Sequence, residues 1–93
     1  MGILAPASTV NIYQTVLSTL FTEKQFIITS GSQKIYDLEY EVTPETDVVL
    51  LNGLYQVRGS EGSYTQQGST IVFNDSTILT PGDDLVVYFE KKV

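Results

Sequence analysis

The feature that most restricts the fold is an Asn-Gly pair set between two apolar runs. In "LLNGLYQV", residues 50–57, Asn52 and Gly53 are the only two residues between the runs. A type I′ turn needs positive φ at both central residues, which asparagine tolerates and glycine adopts freely. The stretch therefore predicts a β-hairpin. Its tip is also a candidate ligand loop, formed by Asn52, Gly53, Tyr55 and Arg58.

The residues around this hairpin predict further strands. In "IYDLEYEV", residues 35–42, apolar and acidic residues alternate with a period of two, which is typical of a strand with one buried and one solvent face. Short β-rich runs such as "KQFIIT", "TIVF" and "LVVYFE" are separated by turn signals, among them Pro81-Gly82, which suits the centre of a type II turn. We expect a mainly β domain over 23–93, an antiparallel β-sandwich of about seven strands, with a small barrel as the alternative.

Residues 1–22 differ from the rest of the chain. Residues 1–8, "MGILAPAS", are small and apolar with a proline, and predict an extended arm. Residues 9–22, "TVNIYQTVLSTLFT", carry polar residues at helical spacing and predict a short amphipathic helix. The many β-branched residues leave an extended segment open. The apolar face of the helix would comprise Tyr13, Val16, Leu17, Leu20 and Phe21.

Two predicted strands carry more apolar residues than one core needs. Residues 48–51, "VVLL", and 85–89, "LVVYF", are apolar on both faces, whereas one face of a sandwich strand normally meets water. Either the predicted helix of the same chain or a neighbouring subunit must cover the second face. We therefore predict assembly contacts at Ile3, Leu4, Tyr13, Val16, Leu17, Leu20 and Phe21.

Composition excludes several classes of function. The chain has no cysteine, histidine or tryptophan, so thiolate chemistry, imidazole general bases and the commonest zinc ligands are missing. Its net charge is −6, with eleven acidic and five basic residues, which argues against nucleic acid as a partner. No run approaches the roughly 18 apolar residues of a membrane span. We expect no catalytic residues, no cofactor, no nucleic acid and no membrane.

The pattern of acidic residues favours a solvent face over a metal or catalytic site. Asp37, Glu39 and Glu41 would lie along one face of a strand, where paired carboxylates can bind a cation or cleave glycosides. An exposed acidic row also protects a strand from edge-to-edge association, and we favour this interpretation. The loop carboxylates have the spacing of no calcium loop, so we expect no metal.

The order of the motifs resembles a small β module of tailed-bacteriophage virion proteins. The similarity runs from about residue 21 to residue 89, through "FTEKQFIIT", "VVLLNGLYQV", "SYTQQGSTIVF" and "PGDDLVVYF". The matching positions are Phe21-Thr22, Leu51-Asn52-Gly53, Gln56, Tyr64, Thr70-Ile71, Phe73 and Gly82-Asp83. The chain departs from the pattern at Ser63, where aspartate is usual, and at 58–62, which lacks the customary proline.

The resemblance implies a non-enzymatic structural role in the virion, in which such sandwiches commonly assemble as trimers. The partners would be capsid or tail proteins, and assembly would take place in the host cytoplasm. Because this chain has one module with an apolar arm and no long shaft, we favour a capsid decoration (cement) protein. The alternative is a tail-fibre or tail-appendage component with a receptor- or glycan-binding β domain.

Overall fold

The protein is mainly β throughout the part that its computed structural model describes, residues 21–92. Seven strands are present in this range, and no helix is. They are β1 (Thr22–Ile27), β2 (Ile35–Asp37), β3 (Val48–Leu51), β4 (Leu54–Tyr55), β5 (Tyr64–Gln67), β6 (Thr70–Phe73) and β7 (Asp84–Phe89). The predicted arm and amphipathic helix lie outside the described residues.

The strands form two sheets in which every pair is antiparallel. The four-stranded sheet has the order β1-β7-β3-β4, and the three-stranded sheet has the order β2-β6-β5. The prediction of a mainly β, antiparallel fold is therefore confirmed. Strand β7 lies between β1 and β3, so the last strand of the chain is central to its sheet.

Both sheets contribute to one inner core. In β7, Leu85, Val87 and Phe89 face this core, and Tyr36 and Phe73 meet it from the three-stranded sheet. Alternate residues of a strand point to opposite faces, so these positions define the inner faces of the sheets. The buried members of the inner core are Ile28, Tyr36, Leu38, Val42, Val49, Tyr64, Ile71, Phe73, Leu79, Leu85, Val87 and Phe89.

The predicted hairpin turn at the Asn-Gly pair is confirmed. Strands β3 and β4 pair with Leu51 opposite Leu54, which leaves Asn52 and Gly53 as a two-residue loop. Their φ angles are 52° and 79°, positive at both positions as a type I′ turn requires. A second predicted turn is confirmed at residues 80–83, where the Asp83 N–H donates to the Thr80 carbonyl and Gly82 has positive φ.

The predicted strand over 35–42 is too long. Strand β2 ends at Asp37, and Glu39 adopts a φ of 71°, with its N–H donating to the Asp37 carboxylate. The chain bends there, so only Val42 returns to a ladder, in an isolated bridge to Lys91. Of the alternating apolar residues, Tyr40 is exposed, although its neighbours on the predicted face are buried. Leu38 and Val42 are therefore buried although they lie outside β2, and the apolar pattern marks buried positions better than it marks the length of the strand.

Candidate functional site

The outer face of the four-stranded sheet holds a second apolar cluster. The register places Leu50 opposite Val86, and Val48 opposite Tyr88, on the face that points away from the inner core. Leu50, Val86 and Tyr88 are only 2%, 6% and 3% exposed, and Phe21 and Val48 pack against them half-buried. We call these five residues the outer cluster. The prediction that β3 and β7 are apolar on both faces, and bury both, is confirmed.

Phe21 is the one predicted assembly contact that the structure describes. It directly precedes β1 and packs on the outer cluster, which places the start of the described chain on this face. The other six predicted contacts, Ile3, Leu4, Tyr13, Val16, Leu17 and Leu20, lie outside the described residues.

Polar residues border the outer cluster on the side of β1. Glu23 pairs with Tyr88 and Gln25 with Val86, and both polar side chains are exposed. Burial raises the pKa of the Tyr88 hydroxyl, and the nearby carboxylates of Glu23 and Asp84 raise it further. The Tyr88 phenol is therefore neutral throughout the physiological range and acts as an apolar ring with a polar tip.

The opposite border of the outer cluster is apolar and exposed. Strand β4 is a sheet edge, and Tyr55 lies opposite Leu50 on the same face as the cluster. Leu54, Tyr55 and Val57 are 69%, 62% and 58% exposed. We call these three residues the edge patch. It carries no charged residue, although charged side chains are a common protection of free edges.

The side chain of Asn52, in the candidate ligand loop, makes hydrogen bonds to other residues of the protein. Its amide nitrogen donates to the Asp83 carboxylate at 3.0 Å, and its carbonyl oxygen accepts the Asp84 N–H at 2.8 Å. The hydrogen bond from Asn52, followed by one from the Thr80 backbone, holds the pKa of Asp83 below its ordinary value. Asn52 therefore ties its own turn to the one that precedes β7.

Arg58, the charged residue of the candidate ligand loop, pairs with a buried carboxylate. Its Nη1 donates to Asp47 Oδ1 at 2.8 Å, and the Tyr64 hydroxyl donates to Asp47 Oδ2 at 2.6 Å. The Asp47 side chain is fully buried, whereas that of Arg58 is about one-third exposed. Burial, followed by the hydrogen bond to Asp47, raises the pKa of Tyr64, which keeps its hydroxyl a donor.

The structure thus separates the four candidate ligand residues. Asn52 and Arg58 make intramolecular contacts, Gly53 completes the turn, and Tyr55 alone presents a largely exposed side chain. Sequence reasoning did not identify Asp47 or its contact with Tyr64. The available signal was an acidic residue directly before the apolar run 48–51, because a charge beside a buried strand needs a partner.

The connection that follows β6 holds the loop after Arg58 through side-chain hydrogen bonds. The Asn74 amide donates to the carbonyls of Gly59 at 3.2 Å and Gly62 at 2.7 Å, and the Thr77 hydroxyl donates to Ser63 O at 2.7 Å. Gly62 also lies so close to the Val57 carbonyl that a Cβ atom there would overlap the oxygen. Side-chain caps therefore fix this loop, although its composition resembles a flexible linker.

The acidic residues Asp37, Glu39 and Glu41 are exposed, as predicted for a solvent face. They do not share one strand face, because the backbone bends at Glu39, which forms an ion pair with Lys24. In residues 21–92 no group of three or more acidic, histidine or cysteine side chains is arranged to hold a metal ion. Within the same range no enclosed pocket is found.

Comparisons of the chain with protein-family models, with curated proteins and with solved structures return no match. Among the residues that the structure describes, no helix is long and apolar enough to cross a membrane.

Proposed function

We propose that the protein is a non-enzymatic structural component of a tailed-bacteriophage virion, and specifically a capsid decoration (cement) protein. In this proposal the two sheets form a β-sandwich module, and residues 1–22 form an arm and a short amphipathic helix that make assembly contacts. The resemblance of residues 21–89 to phage virion modules supports the virion role.

The observation that carries the assembly role is the apolar outer face of the four-stranded sheet. A soluble domain of this size needs one core, yet this chain has the outer cluster in addition to the inner core. Tyr55 of the edge patch lies opposite Leu50 and extends this apolar face to the sheet edge, where it is exposed. Exposed apolar residues beside an apolar sheet face mark sites of protein association.

The proposed partners are proteins of the virion shell and other copies of the chain, with a trimer as the favoured oligomer. Eleven acidic residues against five basic ones disfavour contact with packaged nucleic acid, so the outer surface of the shell suits the charge. Each subunit would be synthesised in the host cytoplasm and remain in the particle. No cofactor or metal takes part in this role.

Immunogold electron microscopy of particles that contain the protein tests this proposal directly. Antibodies raised against the purified chain are expected to label the head surface. Loss of the gene should leave heads that form but release DNA more readily on heating. Labelling of the tail alone would support the alternative, and the absence of label from every particle would overturn a virion role.

The alternative is a tail-fibre or tail-appendage component whose β domain binds a receptor or glycan. The observation that favours it is the exposed ring of Tyr55 beside the Asn-Gly turn, since aromatic rings stack on sugars. This alternative predicts that Tyr55→Ala abolishes binding to host-surface glycans without loss of folding. Lack of binding by the unaltered protein to any host glycan would exclude it.

A further inference from the structure

The outer cluster is buried more deeply than the described strands explain. The three-stranded sheet packs on the opposite face, and the apolar residues seen to pack against the cluster, Phe21 and Val48, belong to the same face. Side chains on an uncovered sheet face remain partly accessible, because neighbours in the plane shield only their flanks. Exposures of 2% for Leu50, 3% for Tyr88 and 6% for Val86 require a covering layer.

The outer face of the other sheet provides a comparison within the same molecule. There Ile35, Val72 and Thr65 lie in register on the face that points away from the inner core. Ile35 is exposed, and Val72 and Thr65 are only half-buried. An uncovered strand face of this protein therefore remains accessible, and the deep burial of the outer cluster is specific to its sheet.

The position of Phe21 identifies the segment that can supply the cover. Phe21 packs on the outer cluster, so the described part of the chain starts on this face. All sixteen charged residues of the protein follow Phe21, so residues 1–20 are uncharged. They include Ile3, Leu4, Ile12 and several further large apolar residues. A neutral, apolar-rich segment matches an apolar face without leaving a charge buried.

We propose that residues 1–20 of the same chain pack on the outer cluster in the free protein and form its covering layer. This proposal concerns the free protein and stands whether or not the virion role is correct.

Paramagnetic relaxation measured by NMR tests the position of the segment. Because the chain has no cysteine, Ser8→Cys provides a single attachment point for a nitroxide label. We expect the label to broaden the methyl signals of Val48, Leu50 and Val86 severalfold more than those of Val72 on the opposite outer face. Comparable broadening at all four residues, or none, would overturn the proposal.

Dilution distinguishes the chain's own segment from that of a second copy. The isotope-labelled, spin-labelled protein is diluted with an excess of unlabelled wild-type chain. The broadening is expected to persist, because the covering segment belongs to the same molecule. Its disappearance would mean that a second copy supplies the cover and would overturn the proposal in favour of segment exchange.

Matched variants guard against effects of unfolding. Val86→Lys should abolish the selective broadening, and Val72→Lys should leave it unchanged, with the dispersed signals of the inner core retained in both. If Val86→Lys unfolds, the combined variant Val16→Ser, Leu17→Ser and Leu20→Ser alters only the segment. A soluble paramagnetic chelate should then reach the methyls of Leu50 and Val86. Unchanged protection of these methyls would contradict the proposal.

Discussion

Two buried tyrosines differ in the hydrogen bonding of their hydroxyl groups, although both rings lie in the inner core. The Tyr64 hydroxyl donates to the buried Asp47 carboxylate, whereas that of Tyr36 has no partner in the described part of the chain. We expect Tyr64→Phe to lower the free energy of unfolding by about 1–3 kcal/mol, because it leaves Asp47 short of a donor. We expect Tyr36→Phe to be neutral or to raise it by roughly 1 kcal/mol.

Urea denaturation of the two variants beside the wild type measures this difference, and each variant serves as the control for the other. Both substitutions remove one oxygen atom from a ring that is almost fully buried, so the loss of volume is the same. Equal destabilisation by the two would show that packing, rather than the hydrogen bond to Asp47, determines the effect.

The Asp83 carboxylate should make the stability of the protein depend on pH in the acid range. The Asn52 amide holds the folded-state pKa of Asp83 below its ordinary value of about 4. The carboxylate therefore contributes stability above that value, and the contribution is lost as pH falls through the lower folded-state pKa. Asp83→Asn should lose less stability than the wild type on acidification to about pH 3.

Denaturation curves at neutral and acidic pH provide the measurement. NMR titration of Asp83 in an Asn52→Ala variant provides an independent check, because the pKa should rise towards its ordinary value. An unchanged Asp83 pKa in that variant would contradict the assignment of the shift to Asn52.

At the scale of single residues, the sequence predicts which side chains are buried but not what they contact. Alternation alone identifies Tyr36, Leu38, Tyr40 and Val42 as core positions; three of them are buried, and Tyr40 is exposed. The contacts of Asp47 with Arg58 and Tyr64 span eleven and seventeen residues, and no local pattern encodes them. Because this contact is not local, the sequence alone indicates that Arg58 is a free cation in a loop.

The Asn-Gly hairpin depends on backbone conformation and on side-chain bonds, and substitutions at Asn52 separate the two. Asn52→Gly keeps the positive φ but loses the bonds to Asp83 and Asp84, which should cost about 1–2 kcal/mol of unfolding free energy. Asn52→Ala should cost about 1–2 kcal/mol more, because alanine is strained in the left-handed region. Thermal and chemical denaturation measure both. If the two variants are equally stable, the backbone requirement contributes nothing.

Gly62 tests whether the loop after Arg58 is fixed by close packing. A Cβ atom at this position would overlap the Val57 carbonyl oxygen, which accepts the Ser63 N–H. We expect Gly62→Ala to lower the free energy of unfolding by about 1–3 kcal/mol, as overpacking does. The exposed Ser60 in the same loop offers the control, since Ser60→Ala should stay within about 0.5 kcal/mol of the wild type. Equal stability of the two variants would show that the loop adapts freely.

At the scale of elements, the tight turns are predictable because their turn chemistry is local. Asn52-Gly53 and Pro81-Gly82 specify their turns through the φ angles that these residues adopt. The strand over 35–42 is overestimated because an Asp37 side-chain bond supports positive φ at Glu39, and the hydrophobic pattern does not register this bend. An alternating apolar pattern normally marks both buried positions and a strand. Here Leu38 is buried, although β2 ends at Asp37.

At the scale of the molecule, strand order lies beyond what the sequence pattern specifies. Strand β7 pairs with β1, more than fifty residues earlier in the chain, and with β3 on its other side. The apolar character of β3 and β7 on both faces is visible in the sequence, so the existence of a second apolar surface is predictable. The location of that surface, and its continuity with Tyr55 of the edge patch, follow only once the register pairs Leu50 with Val86 and Tyr55.

The edge patch allows the assembly role to be tested without loss of the fold. Leu54 and Tyr55 are mostly exposed, so Leu54→Ser with Tyr55→Ser should change the free energy of unfolding by less than about 1 kcal/mol. If the patch completes a subunit or shell interface, the double variant should bind heads that lack the protein at least tenfold more weakly, which is a loss of about 1.4 kcal/mol. Co-sedimentation with such heads, together with light scattering of the free protein, measures both steps of assembly.

Ile35 provides the matched control for this experiment. Ile35 is an aliphatic residue of β2 in the three-stranded sheet, and it is 58% accessible. The outer cluster and the edge patch belong to the other sheet. Ile35→Ser removes an exposed apolar side chain outside the edge patch, so it should leave head binding unchanged if association depends on the edge patch. Equal weakening by both variants would mean that general surface hydrophobicity drives association. Wild-type binding by the double variant would remove the edge patch from the interface and leave residues 1–22 as the assembly contact to test.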